Sequence, residues 1–246
     1  MFALEDVGVR YANTVALTGI SLRLAPREVV GLIGPSGAGK TTLLGLLNGT
    51  VQASEGQVTV DGAVVASLRP HALRNLRASI GVIPQQFDLV PALNAAQNVL
   101  LGQLGRQGWW GGVRALVAPR RADLEAVHAL LGRLGIGDKL FHPTDSLSGG
   151  EQQRVAIARA LFQEPRALLA DEPVASVDPV RAREVLDLLR VVAEQAGATL
   201  VISLHDLALA RTLPRLIGLR NGTVAFDGAP DQLDDPAAEA LYRPSA

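Results

Sequence analysis

The segment Gly34-Pro35-Ser36-Gly37-Ala38-Gly39-Lys40-Thr41 decides the fold of this chain of 246 residues. It fits the pattern G-x-x-x-x-G-K-[ST], follows the apolar run Val29 to Ile33 and precedes a helical run, Thr42 to Leu47. Glycines at this spacing let successive backbone N–H groups converge on phosphate oxygens, and the start of the helix adds its positive dipole. The lysine of such a segment reaches the β- and γ-phosphates, and the threonine hydroxyl holds Mg²⁺. The segment therefore predicts a loop that binds the phosphates of a nucleotide.

Three further apolar runs read as buried strands, and polar residues follow each of them. The runs are Ile80 to Ile83, Ala167 to Ala170 and Thr199 to Ser203. Continuous apolar runs suit strands that are covered on both faces, as in a parallel sheet between helices. Ligands of such sheets lie beyond the carboxyl ends of the strands. We expect the polar residues at these ends to share one site with the phosphate loop.

Outside these strands the sequence predicts two hairpins and a helical insertion. Asp61-Gly62 and Asn221-Gly222 tolerate the positive φ that a two-residue hairpin turn requires. Residues 86–164 interrupt the strand pattern, and Arg121 to Leu134 carries apolar residues at helical spacing. Within this insertion, Gly105 to Gly112 is interpreted as a loop.

The predicted fold class is therefore α/β, with a mainly parallel sheet, an N-terminal antiparallel β subdomain and an inserted helical subdomain. The prediction assigns residues 1–246 to one domain, with a core formed by 1–85 and 165–246 and a helical lobe formed by 86–164.

Composition excludes several function classes. The chain has 23 Lys+Arg against 24 Asp+Glu, and this balance offers nucleic acid no basic field. It contains no cysteine, which excludes disulfides, cysteine-based zinc sites and thiol catalysis. No stretch approaches the ~20 apolar residues that cross a bilayer, and the first residues lack a signal-peptide pattern. We therefore expect a cytoplasmic protein.

The acidic pair Asp171-Glu172 directly follows a predicted buried strand. A carboxylate at this place can hold the water shell of Mg²⁺, and a second can orient and deprotonate an attacking water. An ordinary loop can also open with two acidic residues. The phosphate loop upstream favours the metal and water roles.

The octapeptide Leu147-Ser148-Gly149-Gly150-Glu151-Gln152-Gln153-Arg154 resembles the signature sequence of the ATP-binding-cassette (ABC) ATPases. The resemblance covers nearly the whole chain, from Phe2 to about Gln232. It implies a P-loop NTPase core in which this loop faces the γ-phosphate held by another subunit. Two chains would then enclose two ATP molecules, and hydrolysis would need the dimer. Read alone, Ser148 is also a suitable cap for the helix that follows.

The resemblance implies a role for further single positions. Tyr11 matches the aromatic residue that stacks on adenine, and His205 matches the histidine that contacts the γ-phosphate. Gln85 matches the glutamine that touches Mg²⁺ and signals to the helical lobe, although Gln86 beside it leaves a one-residue ambiguity. Ser176-Val177-Asp178-Pro179 resembles the loop that couples the two sites, with valine where the family usually has leucine.

The implied residues fall into three groups. The catalytic residues are Lys40, Gln85, Glu172 and His205. The Mg²⁺ ligands are Thr41, Gln85 and Asp171. The nucleotide-binding residues are Tyr11, Gly34, Ser36, Gly37, Ala38, Gly39, Lys40, Thr41, Thr42, Ser148, Gly149, Gly150 and Asp178.

Finer resemblance points to the ATPase subunits of phosphonate importers. It rests on residues 169–176, residues 217–222, residues 226–228 and the stretch from Asn98 to Trp109. It implies a homodimeric hydrolase and translocase at the cytoplasmic face of the inner membrane, bound to permease subunits and served by a solute-binding protein. Importers of phosphate, phosphite or amino acids, an exporter, and a regulatory clamp without transport remain alternatives. Trp109 and Trp110 either receive the permease or pack onto their own lobe.

Overall fold

A computed structural model describes residues 1–12, 14–174 and 178–243, apart from the side chains of 107–110, 112 and 179. The strands in this part are β1 (Phe2–Tyr11), β2 (Thr14–Leu24), β3 (Val29–Ile33), β4 (Glu55–Val60), β5 (Ala63–Val64), β6 (Ile80–Ile83), β7 (Ala167–Asp171), β8 (Thr199–Leu204), β9 (Arg215–Arg220) and β10 (Thr223–Gly228). The α-helices are α1 (Lys40–Leu47), α2 (Pro70–Ala78), α3 (Ala95–Leu100), α4 (Leu104–Val117), α5 (Arg121–Arg133), α6 (Gly149–Phe162), α7 (Pro179–Ala196), α8 (Leu207–Ala210) and α9 (Asp235–Tyr242).

The N-terminal sheet is antiparallel throughout, with the strand order β2-β1-β4-β5. The predicted turn at Asp61-Gly62 joins β4 to β5. Both residues have positive φ, 48° at Asp61 and 81° at Gly62, as a two-residue hairpin turn requires. The predicted N-terminal antiparallel subdomain is confirmed.

The second sheet has the order β10-β9-β3-β8-β7-β6. Its pairs β9-β3, β3-β8, β8-β7 and β7-β6 are parallel, and only β10 runs antiparallel, through the predicted turn at Asn221-Gly222. The mainly parallel sheet is therefore confirmed. Because its strands are adjacent and parallel, the segments after β3, β6, β7 and β8 emerge along one edge.

Both faces of this sheet are covered. Leu168 and Ala170 of β7 belong to one apolar cluster, which also contains residues of α3, α5, α6 and α7. Their neighbours Ala167 and Leu169 belong to a second cluster, shared with α1 and the N-terminal sheet. This alternation explains why the strand sequence is continuously apolar.

The described backbone between β6 and β7 is helical or turn, apart from one bridge between Asn94 and Pro143. The expected helical character of this segment is confirmed, but the loop interpretation of Gly105 to Gly112 is wrong, since these residues lie in α4. Packing of α4 against α2 and α3 outweighs the cost of its glycines, about 1 kcal/mol each. Gly105 also suits this packing, because a Cβ there would lie 3.0 Å from the Cβ of Ala78.

Within the described residues, no helix is both long enough and apolar enough to span a membrane.

Candidate functional site

The phosphate loop connects the end of β3 to the start of α1. Gly34 has φ +143°, and a Cβ on it would lie 2.2 Å from the carbonyl oxygen of Leu219. Gly39 has φ +103°, and a Cβ there would lie 2.6 Å from Leu17 Cδ2. Gly37 is also at positive φ but faces open space. Two of these glycines are thus required by their neighbours, and the third leaves the mouth of the loop clear.

Lys40 is buried at the first position of α1, with 5% of its side chain exposed. Its Nζ donates hydrogen bonds to the carbonyl oxygens of Gly34, at 2.8 Å, and Pro35, at 3.2 Å. The same Nζ lies 3.6 Å from Oε1 of Glu172. The ammonium group therefore stands inside the loop and next to the acidic segment that follows β7. The sequence predicted that these segments lie at one edge of the sheet, but it did not predict this ion pair.

Ser203 joins the two acidic residues and was missed by sequence reasoning. It is fully buried near the end of β8 and pairs in register with Asp171 of β7. Its hydroxyl donates to Asp171 Oδ1 at 2.6 Å and accepts the backbone N–H of Glu172 at 2.8 Å. Glu172 itself has φ +46°. One hydroxyl thus orients Asp171 and fixes the turn that carries Glu172.

The remaining predicted residues of this edge are mostly exposed. His205 directly follows β8, and Asp206 after it caps α8 by accepting the N–H groups of Ala208 and Leu209. Gln85 and Gln86 are both exposed in the turn after β6. The exposed residues at the loop itself are Ser36, Gly37 and Thr41, whereas Ala38 is buried and Thr42 half-buried.

Tyr11 lies at the end of β1 with 49% of its surface exposed. Strand β2 of the N-terminal sheet contacts the phosphate loop. A Cβ on Gly39 would meet atoms of Leu17 and Ala16, both of which belong to β2. An aromatic ring on this sheet is accessible to a ligand.

The signature segment forms a separate surface at the start of α6. Ser148 caps this helix in a reciprocal arrangement with Glu151: the Ser148 N–H and hydroxyl donate to Glu151 Oε2, at 2.8 and 2.7 Å. These hydrogen bonds from Ser148 hold the pKa of Glu151 below its ordinary value, and Lys139, 3.7 Å away, acts in the same direction. Gly149 and Gly150 are exposed beside the cap.

A groove of about 1060 Å³ runs from this cap to the start of α7. This volume is large enough for a small-molecule ligand. Its lining includes Ser148, Gly149, Gly150 and Asp178, but neither Lys40 nor Glu172. Asp178 caps α7 by accepting the N–H of Arg181 at 3.1 Å. Ser176 and Val177 lie outside the described residues. The signature segment and the phosphate loop of one chain therefore line different surfaces.

The sequence matches the ABC transporter family over residues 17–175. This chain belongs to that family. The resemblance inferred from its phosphate loop and signature segment is confirmed.

Relatives with curated names match over almost the full chain. The phosphonates import ATP-binding protein PhnC of Thiobacillus denitrificans is 42% identical over 98% of this chain and 92% of its own length. The protein of the same name from Rhizobium meliloti is 43% identical over 98% of this chain and 86% of its own length.

Solved structures share the cassette fold. CbiO1 from Clostridium perfringens, part of the ABC transporter complex cbiONQ, superposes with a TM-score of 0.80 at 29% identity, over 94% of this chain and 89% of that one. The ATP-binding cassette MJ0796, in a dimeric post-hydrolysis state bound to ADP and Pi, gives a TM-score of 0.75 at 33% identity. This match covers 94% of this chain and 99% of that one. The P-loop NTPase core of this ABC family member is thus confirmed.

Proposed function

We propose that this chain is the ATP-hydrolysing subunit of an importer for phosphonates or a related phosphorus oxyanion. One observation carries the ATPase part: the phosphate loop places Lys40 within 3.6 Å of Glu172, the acidic residue that follows β7. The names of relatives aligned over 98% of the chain support the cargo.

In the proposed reaction the loop amides and Lys40 bind the phosphates of ATP and stabilise the charge that develops there. Glu172 accepts a proton from the attacking water, a contribution of ~10²–10⁴-fold in rate. His205 contacts the γ-phosphate, and Tyr11 stacks on the adenine. Ser203 keeps Asp171 and the Glu172 turn in place.

The residues at this edge suit Mg²⁺ bound together with nucleotide phosphates. The described residues contain no cluster of three acidic or histidine side chains that would hold a metal alone. Mg²⁺ prefers one or two carboxylates, waters and substrate phosphates, all oxygen ligands. Asp171, the Thr41 hydroxyl and the Gln85 amide oxygen are the donors that we assign to it. When bound, the ion neutralises charge on the β- and γ-phosphates.

The second half-site supports a head-to-tail homodimer. Ser148, Gly149, Gly150 and Asp178 line a groove that includes neither Lys40 nor Glu172 of their own chain. We assign them to the γ-phosphate held by a partner copy, because exposed backbone N–H groups at a helix start attract anions. The dimeric ADP- and Pi-bound cassette MJ0796 is consistent with this arrangement.

We assign residues 1–85 and 165–246 to the nucleotide-binding core and residues 86–164 to the helical lobe. Closure of the dimer would move the lobes, with Gln85 linking the site to them. The proposed partners are permease subunits and, through them, a solute-binding protein, with this subunit on the cytoplasmic face of the membrane. Trp109 and Trp110 are candidates for the permease contact. Their side chains lie outside the described residues, and Trp109→Ala and Trp110→Ala variants that still assemble with the permease would exclude this role.

The test is ATPase activity of this subunit isolated with its native membrane partners and the binding protein. Methylphosphonate, phosphate, phosphite and an amino acid are added in turn, and the same complex with Glu172→Gln serves as the blank. Stimulation by the phosphonate is expected. Stimulation by another ligand would change the proposed cargo and leave the proposed mechanism in place. If the subunit is isolated with a soluble partner and no membrane protein, the regulatory clamp is favoured.

A further inference from the structure

Helix α9 packs against the strand that borders the phosphate loop. The side chain of Leu241 lies over Gly218 of β9, where a Cβ would be 3.1 Å from Leu241 Cδ2. Gly218 pairs in register with Ile33, the residue directly before Gly34. The glycine therefore lets the last turn of α9 approach the start of the loop.

Two arginines fix α9 to its surroundings. Arg211, which ends α8, donates to the carboxylate of Asp235 at 2.9 Å and to the carbonyl oxygen of Leu233 at 3.1 Å. Arg220, which ends β9, donates to the carbonyl oxygen of Arg243 at 3.3 Å. Because α8 begins two residues after His205, the first of these contacts links α9 to the segment that carries the proposed γ-phosphate contact.

Tyr242 stands at the meeting point of these elements. Its hydroxyl oxygen is buried, and among the described residues no group meets the full geometry of a hydrogen bond with it. Burial raises the pKa of Tyr242, the nearby backbone of Gly34 lowers it and the Asp206 carboxylate raises it. Tyr242 directly follows Leu241, whose side chain lies over Gly218 of the strand beside the start of the phosphate loop. A buried hydroxyl without a hydrogen-bond partner costs folding free energy. We therefore expect this hydroxyl to gain a partner when the protein is active.

We propose that Tyr242 is a positioning residue of the nucleotide site: its hydroxyl accepts the N–H of Gly34 when ATP is bound and holds the phosphate loop against the segment of residues 205–211. The N–H is the one donor that the backbone of Gly34 offers. This inference rests on the proposed ATPase function. It assigns to α9 the task of keeping the loop ready for phosphate.

The test is Tyr242→Phe, which keeps the ring and removes only the hydroxyl. For loss of one hydrogen bond we expect the Kd and KM for ATP with Mg²⁺ to rise about threefold to tenfold. The kcat is expected to stay within about twofold, because the chemical groups are untouched. Ser67→Ala, which removes an exposed hydroxyl bonded to the carbonyl of Val64, is the control and should change neither constant.

The outcomes separate this inference from the proposed function. A wild-type protein that fails to bind ATP overturns the proposed function itself. A wild-type protein that binds ATP, with a Tyr242→Phe variant of equal Kd and a lower Tm, reduces Tyr242 to a packing role and overturns the inference.

A second measurement tests the inference even if the Tyr242→Phe variant folds poorly. The chain has two tyrosines, so ¹³Cζ-tyrosine NMR of the Glu172→Gln protein gives two resonances. The Tyr242 resonance should move when ATP and Mg²⁺ are added, as a new hydrogen bond to its oxygen requires. An unchanged resonance in a nucleotide-saturated sample overturns the inference.

Discussion

The Nζ atom of Lys40 lies 3.6 Å from Oε1 of Glu172, so the group proposed to bind phosphate is paired with the group proposed to act as the base. Lys40 also donates to two carbonyl oxygens of its own loop. In the proposed reaction, phosphate oxygens compete with these partners for the ammonium group, and we expect this competition to loosen the contact with Glu172.

Glu172→Gln should retain ATP binding and lose turnover. The amide removes the negative partner of Lys40 and cannot accept the proton, so hydrolysis is expected to fall by ~10²-fold or more. Nucleotide-bound dimers should accumulate, measured by size exclusion with ATP and by phosphate release.

Glu194→Gln is the matched control for this variant, because Glu194 lies exposed on α7. It should hydrolyse ATP at the wild-type rate. A Glu172→Gln protein that does the same would remove Glu172 from the mechanism.

Ser203→Ala should weaken both folding and catalysis. It leaves the half-buried N–H of Glu172 without its acceptor and Asp171 without its donor, a loss of about 1–2 kcal/mol in the free energy of unfolding. We expect kcat to fall several-fold while KM changes little. Urea unfolding and steady-state ATPase assays measure the two effects, and the exposed Ser54→Ala is the control. Full activity of the Ser203→Ala variant would show that Ser203 does not orient the acidic pair.

Arg215→Met should destabilise the fold without touching the nucleotide site. Arg215 makes two 2.7 Å hydrogen bonds to Asp227 and a third to Glu28, and these carboxylates raise its pKa. Removing a half-buried partner of two carboxylates is expected to cost about 2–3 kcal/mol in urea unfolding. Arg121→Met breaks an exposed helix pair and should cost under about 0.5 kcal/mol. Equal losses in the two variants would contradict the burial argument.

The cap of the signature helix should respond to acid. Hydrogen bonds from Ser148 lower the pKa of Glu151 in the folded state, so the contribution of its carboxylate is complete above the ordinary value of 4.5 and is lost as the pH falls through the folded pKa. The protection of the Ser148 amide, its exchange rate relative to the intrinsic rate at the same pH, should therefore fall as the pH drops below 4.5. Glu151→Gln should show no such transition, and a wild-type cap that keeps its protection in acid would contradict the assignment.

Much of the site follows from local sequence rules. The phosphate loop, the strand before it and the helix after it depend on glycine conformations and apolar runs that neighbouring residues set. The same holds for the turns at Asp61-Gly62 and Asn221-Gly222, whose φ values are a property of the dipeptides. The stretch from Gly105 to Gly112 shows the limit, because contacts of α4 with α2 and α3 turn a glycine-rich segment into helix.

By itself the sequence determined the fold class, the phosphate loop and the acidic pair, since each depends on residues close together in the chain. Only the tertiary structure decided that Ser203 holds Asp171, that Lys40 pairs with Glu172 and that Leu241 of α9 lies over Gly218 of β9. These relationships depend on strand order, register and the docking of a distant helix. Many long-range contacts set those features together, and no local pattern encodes them.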